Sequence, residues 1–418
     1  QDDAYNVVIK KAGSRGAEDH APVMLQGHMD MVCEKRAGVE HDFEKDGLDL
    51  IIRDGRLTAN GTTLGGDNGV AVALMLMVLD DDEIEHPPVE CVFTTEEEVG
   101  LNGAKALDKS VLKARTMINM DSEDEGVATV SCAGGLRVQF TKEIKRTTVQ
   151  GSLLTLKVEG LLGGHSGQDI DKERQNADLL MARMIQRLLK ETKGQLVSFN
   201  GGTKDNAIPR ECEASLIYES DEEAAKAEEL ACELAETYAE ELTPAEPDFS
   251  CEISCETNRT AEAIPQDAAK EFICAMRLAP NGIQKRNIKM DGFVVVSLNL
   301  GVVRTEEDRI VMIFSPRSSV ASLQEDTKER LNTLAETFGF TVSHSSEYPG
   351  WSFKEDSPVR EICKESYKEL FGEDLKIEAI HAGLECGLFS DAIKGLDAIA
   401  IGPTIANCHT PDEYLTLD

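Results

Sequence analysis

Along the first third of the chain, apolar residues recur in short runs, and each run stops at a histidine or an acid. Val23-Met24-Leu25-Gln26 leads into Gly27-His28-Met29-Asp30, and Val89-Glu90-Cys91-Val92-Phe93 leads into Glu96-Glu97-Glu98-Val99-Gly100. Met117-Ile118-Asn119-Met120 leads into Asp121-Ser122-Glu123. Between the first two runs a glycine turn, Gly65-Gly66-Asp67-Asn68-Gly69, opens an apolar helical stretch at 70–79. Short apolar strands alternating with helical segments predict a mostly parallel sheet, which gathers its functional groups at the carboxyl ends of its strands. The pattern thus brings histidine and carboxylates to one edge of one sheet.

From about Ser131 the texture changes. Strands are expected at 153–158, 195–199 and 212–218, with an amphipathic helix at 176–191 that places Leu179, Leu180, Met184 and Leu188 at helical spacing. An Ala/Glu helix at 221–241 ends before Pro244 and Pro247. A second set follows: helix 268–278, strands 293–300 and 309–314, helix 323–338. The two halves, roughly 150–250 and 255–345, suggest a duplicated α+β unit. After Pro349-Gly350-Trp351 the first texture returns, with a helix at 358–370 and strands at 376–380 and 396–401. That last strand runs on to Cys408-His409-Thr410-Pro411-Asp412-Glu413. The expected architecture is α/β: a domain with a mostly parallel mixed sheet, built from residues 1–133 and 351–418, interrupted by an α+β domain at 134–350.

Length and composition narrow the partners. A chain of 418 residues is ample for two domains. A net charge of -34 argues against nucleic acid and anionic membrane surfaces, both of which call for basic patches. The longest apolar run, 70–79, falls short of the ~20 residues that span a bilayer. Eleven cysteines are scattered without a CxxC pair, and Cys251 and Cys255 share one strand face. All eleven are expected to be reduced packing residues of a cytoplasmic protein. No signal peptide is visible, but the chain opens on Gln1-Asp2-Asp3 without a methionine, so this says little about targeting.

His28, Asp67, Glu98, Asp121 and His409 are two imidazoles and three carboxylates on separate strand or helix ends. Such a mixture of oxygen and nitrogen donors suits zinc, manganese or cobalt better than calcium. Five side chains exceed the needs of one tetrahedral zinc. If Asp67 is shared, each of two metals receives it, one histidine and one further carboxylate, the pattern of a two-metal hydrolase. Asp30, two residues after His28, is expected to hold the other imidazole nitrogen. Glu97 precedes the ligand Glu98 and points elsewhere, as a general base beside the metals would.

The stretches Gly-His-Met-Asp-Met-Val, Gly-Gly-Asp-Asn-Gly, Glu-Glu-Glu-Val-Gly, Asn-Met-Asp-Ser-Glu and His-Thr-Pro-Asp-Glu resemble the M20 metallopeptidases, over the full chain. Within them the similarity is greatest to the aminoacyl-histidine (carnosinase-like) dipeptidases. The resemblance implies two zinc ions, with cobalt or manganese as substitutes. It places His28 and Asp121 on one ion, Glu98 and His409 on the other, and Asp67 between them. It implies Glu97 as general base, Asp30 as the group orienting His28, and a cis peptide at Asp67–Asn68. The interrupting domain becomes a lid, where His165 of Gly-Gly-His-Ser-Gly resembles an oxyanion-stabilising histidine, acting within one chain or across a homodimer. Asn206 and Arg317 resemble residues that hold the substrate's carboxylate end, a task suited to the arginine fork, although a turn role fits Asn206 as well.

Backbone at Gly383 is expected to close the pocket, while His381 and Glu385 receive no role and His20, His41, His86 and His344 read as surface or loop residues. The resemblance also implies roughly fifty helical residues ahead of the present start. The activity it implies is hydrolysis of dipeptides of the Xaa-His type, with an M20 tripeptidase or N-acyl amino acid amidohydrolase as the alternative.

Overall fold

The computed structural model describes residues 1–288 and 292–417. They form two units, residues 1–133 with 348–418, and residues 134–347.

The first unit begins with β1 (Val7–Lys11), β2 (Val23–His28), helix α1 (Gly66–Asp80), β3 (Val89–Thr94), β4 (Thr116–Asn119) and β5 (Val127–Cys132). The second unit holds β6 (Gly134–Glu143), β7 (Thr147–Glu159), α2 (Ala177–Glu191), β8 (Gln195–Gly201), β9 (Cys212–Tyr218), α3 (Asp221–Leu242) and β10 (Ser250–Ala263). It continues through α4 (Gln266–Leu278), β11 (Val294–Thr305), β12 (Arg309–Ser318), α5 (Ala321–Thr337) and β13 (Thr341–Tyr348). The first unit is then completed by α6 (Pro358–Phe371), β14 (Lys376–Ile380), α7 (Glu385–Ala392) and β15 (Asp397–Ala400).

The sheet of the first unit has the order β1-β3-β2-β4-β15-β5-β14. Its centre is parallel: β2 pairs with both β3 and β4, and β4 with β15. Every residue of β3 is buried, as a parallel strand covered on both faces requires. On one face Ala71 and Met75 of α1 pack against Val89, Cys91 and Phe93. On the other, Met24, Val92 and Met117 meet Leu107, Trp351 and Phe389. The strand ends that carry the acidic and imidazole residues are thereby fixed by apolar packing.

The second unit is built on a sheet of order β10-β7-β9-β8-β11-β12-β6-β13, with Gly282–Arg286 pairing beside β11. It contains two copies of one plan. In chain order β7-α2-β8-β9-α3-β10 is strand, helix, two strands, helix, strand, and β6-α4-β11-β12-α5-β13 repeats it. Each copy lays its strands in the order fourth, first, third, second. The second copy takes its first strand, β6, from ahead of the first copy, so the halves do not divide at 150–250 and 255–345 as the sequence suggests.

Other local expectations change too. Residues 102–111 form a short helix, Asn102–Ala106, and a separate single turn, Lys109–Val111, where Asp108 Oδ1 accepts from Ser110 N at 3.0 Å. Residues 348–350, expected in the insertion, belong to the first unit. A Cβ on Gly383 would lie 2.9 Å from the Tyr348 ring, and one on Gly387 would meet Pro349 O, so glycine lets both approach. All eleven cysteines are free, but Cys33 and Cys232 are exposed rather than buried in a core. Among the described residues no helix is long and apolar enough to cross a membrane.

Candidate metal centre

His28 is the last residue of β2, Asp67 lies in the first turn of α1, and Asp121 follows β4 by two residues. Glu98 sits in the loop after β3, and His409 in the loop before Tyr414–Thr416. All five belong to the first unit. Asp67 stands between two histidine–carboxylate pairs. Its Oδ1 is 3.0 Å from His28 Nε2, and its Oδ2 is 3.4 Å from His409 Nε2. His28 Nε2 is also 3.4 Å from Asp121 Oδ1, while His409 Nε2 is 2.9 Å from Glu98 Oε1. In each trio, His28–Asp67–Asp121 and Asp67–Glu98–His409, the donor atoms lie within 4.8 Å of one another. Two such trios sharing one carboxylate have the donor types and spacing to hold two divalent cations.

Polar groups behind the donors fix their direction. The Asp67–Asn68 peptide is cis. Asn68 Nδ2 donates to Asp121 Oδ1 at 2.6 Å and to Met120 O at 2.9 Å. His28 Nδ1 is 3.0 Å from the carbonyl of Asp30 and 3.5 Å from its carboxylate. The two carboxylate oxygens of Asp30 accept from Glu97 N and Glu98 N, each at 3.1 Å. Asp30 thus ties the end of β2 to the loop carrying Glu97 and Glu98, a link that a reading limited to His28 does not include. Glu413, buried, accepts from Leu64 N (2.8 Å), Gly65 N (3.0 Å), Gly66 N (2.8 Å) and Asp67 N (3.4 Å). Sequence reasoning had Glu413 within a motif but gave it no task. The signal available was a glycine-opened helix with no capping side chain of its own.

The centre is strongly anionic and draws positive charge. Burial opposes a proton on His28, but hydrogen bonds with Asp121, Asp30 and Asp67 hold its pKa far above the ordinary imidazole value. His409 is pushed up to about 10 by Asp67 and Glu98. Burial would raise Asp67, yet the two imidazoles keep it well below the usual carboxylate range. Glu97 lies within reach of His28 and Glu98. Burial first, and then the charge of Asp121, push its carboxyl up to about 9. Two further donors, Glu123 and the Cys408 thiol, approach Asp67, and neither was singled out from the sequence as a donor.

Three of the remaining candidates come together in the second unit. Residues 164–165 pair with 207–208, and Ser166 N donates to Asn206 O at 2.9 Å, so the His165 and Asn206 turns adjoin. His165 Nδ1 accepts from Gln168 N (3.0 Å) and Gly167 N (3.3 Å), which leaves the proton of the neutral ring on Nε2. Burial, reinforced by the Arg317 guanidinium, lowers its pKa to about 4. Arg317 lies on β12, buried, opposite Gly135 and Ser297. Gly383, in the first unit, underlies Tyr348. His20 and His344 are exposed and His41 is half-buried, whereas His86, although in a loop, is buried with Nδ1 2.7 Å from Pro87 O.

The model of peptidase family M20/M25/M40 matches residues 24–418. The cytosol non-specific dipeptidase of Escherichia coli (strain K12) is 35% identical over 424 residues, covering 100% of this chain and 86% of that protein. The crystal structure of aminoacylhistidine dipeptidase from Vibrio alginolyticus superposes with a TM-score of 0.93 at 36% identity, covering 100% of this chain and 85% of that one. Aminopeptidase PepT from Bacillus cereus, at 15% identity and a TM-score of 0.51 over 99% of this chain and 80% of its own, shares the fold. The chain belongs to peptidase family M20/M25/M40.

Proposed function

We propose that this chain is a two-zinc dipeptidase of broad specificity that hydrolyses dipeptides including the Xaa-His type. The observation that carries the reading is Asp67 held between the His28–Asp121 and His409–Glu98 pairs, with Glu97 alongside. The names of two full-length relatives, a non-specific dipeptidase and an aminoacylhistidine dipeptidase, supply the substrate class. Zinc suits the mixed nitrogen and oxygen donors, with cobalt or manganese as substitutes. Eleven free thiols and a relative named for the cytosol support a cytoplasmic location.

When bound, the ions polarise the scissile carbonyl and make water a nucleophile at neutral pH. His28, Asp121, Asp67, Glu98 and His409 would hold them. Glu97 takes a proton from the attacking water and delivers it to the leaving amine nitrogen. Burial and the charge of Asp121 push the Glu97 carboxyl up, and positive charge held by the neighbouring donors would favour the carboxylate that a base needs. Asp30 keeps Glu97 and Glu98 in register with His28 through its two backbone hydrogen bonds. As the family resemblance implies, neutral His165 would offer its Nε2–H to an oxygen on which negative charge develops, and Arg317 and Asn206 would bind the carboxylate end of a substrate.

A panel of β-Ala-His, a Leu-containing dipeptide and an N-acetyl amino acid, assayed after chelation and after zinc is restored, tests the reading. Zinc-dependent cleavage of the dipeptides alone is expected, and Glu97→Ala should lose at least ~100-fold in turnover while still binding zinc. Cleavage of the acetylated compound alone would move the chain to the amidohydrolase branch, and near-normal turnover by the variant would remove Glu97 as the base.

A further inference from the structure

One step back from the donors, on the same faces of their strands, lies a buried polar rung. Side chains two residues apart share a strand face, so Gln26 lies beneath His28 on β2, and Asn119 lies beneath Asp121 at the end of β4. Gln26 and Asn119 are direct partners in the parallel register, and Thr94, at the end of β3, is the register partner of His28. Each of the three is essentially inaccessible to solvent. Asn119 Nδ2 donates to Gln26 Oε1 at 2.7 Å, and Asn119 Oδ1 accepts from Asp121 N at 3.2 Å. The rung thus ends on the backbone of a metal donor.

Its other end is Glu385, at the start of α7, fully buried. Glu385 Oε2 accepts from Gln26 Nε2 at 2.5 Å and from Thr94 Oγ1 at 2.6 Å. Oε1 is buried and has no hydrogen-bond partner among the described residues. Two donors on one oxygen and none on the other leave a carboxylate whose charge is only partly met locally. A buried acid in this condition is costly unless something nearby repays it. A serviceable apolar core would have needed no glutamate here.

We propose that Glu385 is a positioning residue for the metal centre: through Gln26 and Asn119 it holds the Asp121 end of the cluster in place, and its carboxylate raises the centre's affinity for divalent cations. The geometry accounts for all four buried polar side chains at once. Gln26 spans from Glu385 to Asn119, Asn119 passes the constraint to Asp121, and Thr94 adds the β3 strand that leads into Glu97 and Glu98. Partners of this kind behind metal-binding groups typically contribute 10–100-fold in affinity.

The inference rests on the two-cation reading of the site, and the test separates the two. Chelated full-length wild type, Glu385→Gln and Gln26→Met are titrated with zinc against a competing chromophoric chelator, and their metal-free melting temperatures are measured. Gln keeps an oxygen for Gln26 and Thr94 but removes the charge; Met keeps the volume of Gln26 but removes its side-chain hydrogen bonds with Glu385, Asn119 and Thr94. Both variants are expected to bind zinc roughly tenfold or more weakly while melting like wild type without metal. If wild type takes up no zinc, the metal reading itself fails. If wild type binds two equivalents and both variants match it within about twofold, the role of Glu385 is refuted while the centre stands. Weaker zinc binding accompanied by an equally lowered metal-free melting temperature would mark the rung as purely structural and overturn the proposal.

Discussion

At His165 two backbone N–H groups decide which ring nitrogen is available. Because Nδ1 already accepts from Gly167 and Gln168, a neutral ring presents Nε2–H as a donor, the form that can stabilise a developing negative oxygen. Burial and Arg317 hold the ring neutral down to about pH 4. The sign for stability follows directly. The unfolded chain takes up this proton near the ordinary value of 6.5, earlier than the folded one, so the contribution of His165 is intact above about 6.5 and is lost as pH falls towards 4. His165→Gln should therefore flatten the acid-side fall in melting temperature between those values, and lower kcat by roughly 100-fold on a dipeptide. Turnover within threefold of wild type would contradict the assignment. The histidine itself was legible in its glycine-flanked motif. Its tautomer was not, since that depends on how residues 165–169 turn in space, with Asp169 Oδ2 accepting from His165 N at 2.7 Å.

At the scale of elements, α1 depends on a residue near the far end of the chain. Its N-terminal N–H groups have no capping side chain from their own turn, and the Glu413 carboxylate, 346–349 positions away, accepts from Gly66 N and Asp67 N in its first turn and from Leu64 N and Gly65 N just ahead of it. An anion at a helix N-terminus also complements the helix dipole. The contact matters for chemistry because the same turn presents Asp67. Glu413→Ala leaves several buried donors unmet and should destabilise the first unit by on the order of 3 kcal/mol. Trp351, the sole tryptophan and buried within that unit, reports the transition in a denaturant titration by its fluorescence. A loss below about 1 kcal/mol would show that water or neighbouring groups replace the carboxylate. Helices with strong caps and clear periodicity, such as α2 behind Asn176, could be read from sequence nearly to the residue. The role of Glu413 could not, because nothing local links it to Gly65.

At the scale of the whole molecule, one unit consists of residues 1–133 and 348–418, and along the sequence the first texture returns after Trp351. The repeat in the second unit was visible, but not its division. β6 pairs with β12, whose sequence lies well over a hundred residues later, and hydrophobic periodicity carries no information about such pairings. The five candidate donors were legible because they stand at the ends of apolar runs or at a glycine turn. The polar groups behind it were less so, because Gln26, Thr94 and Asn119 lie inside the apolar runs and look like interruptions of them.

The central claim is that Asp67 joins two cation sites on which hydrolysis depends. The most direct measurement is to strip the full-length protein with a chelator, return zinc in known equivalents, and follow bound metal and dipeptide hydrolysis together. Activity absent after stripping and restored as binding approaches two equivalents per chain is the predicted result. Hydrolysis that survives stripping, or full activity with saturation at one equivalent, would contradict it.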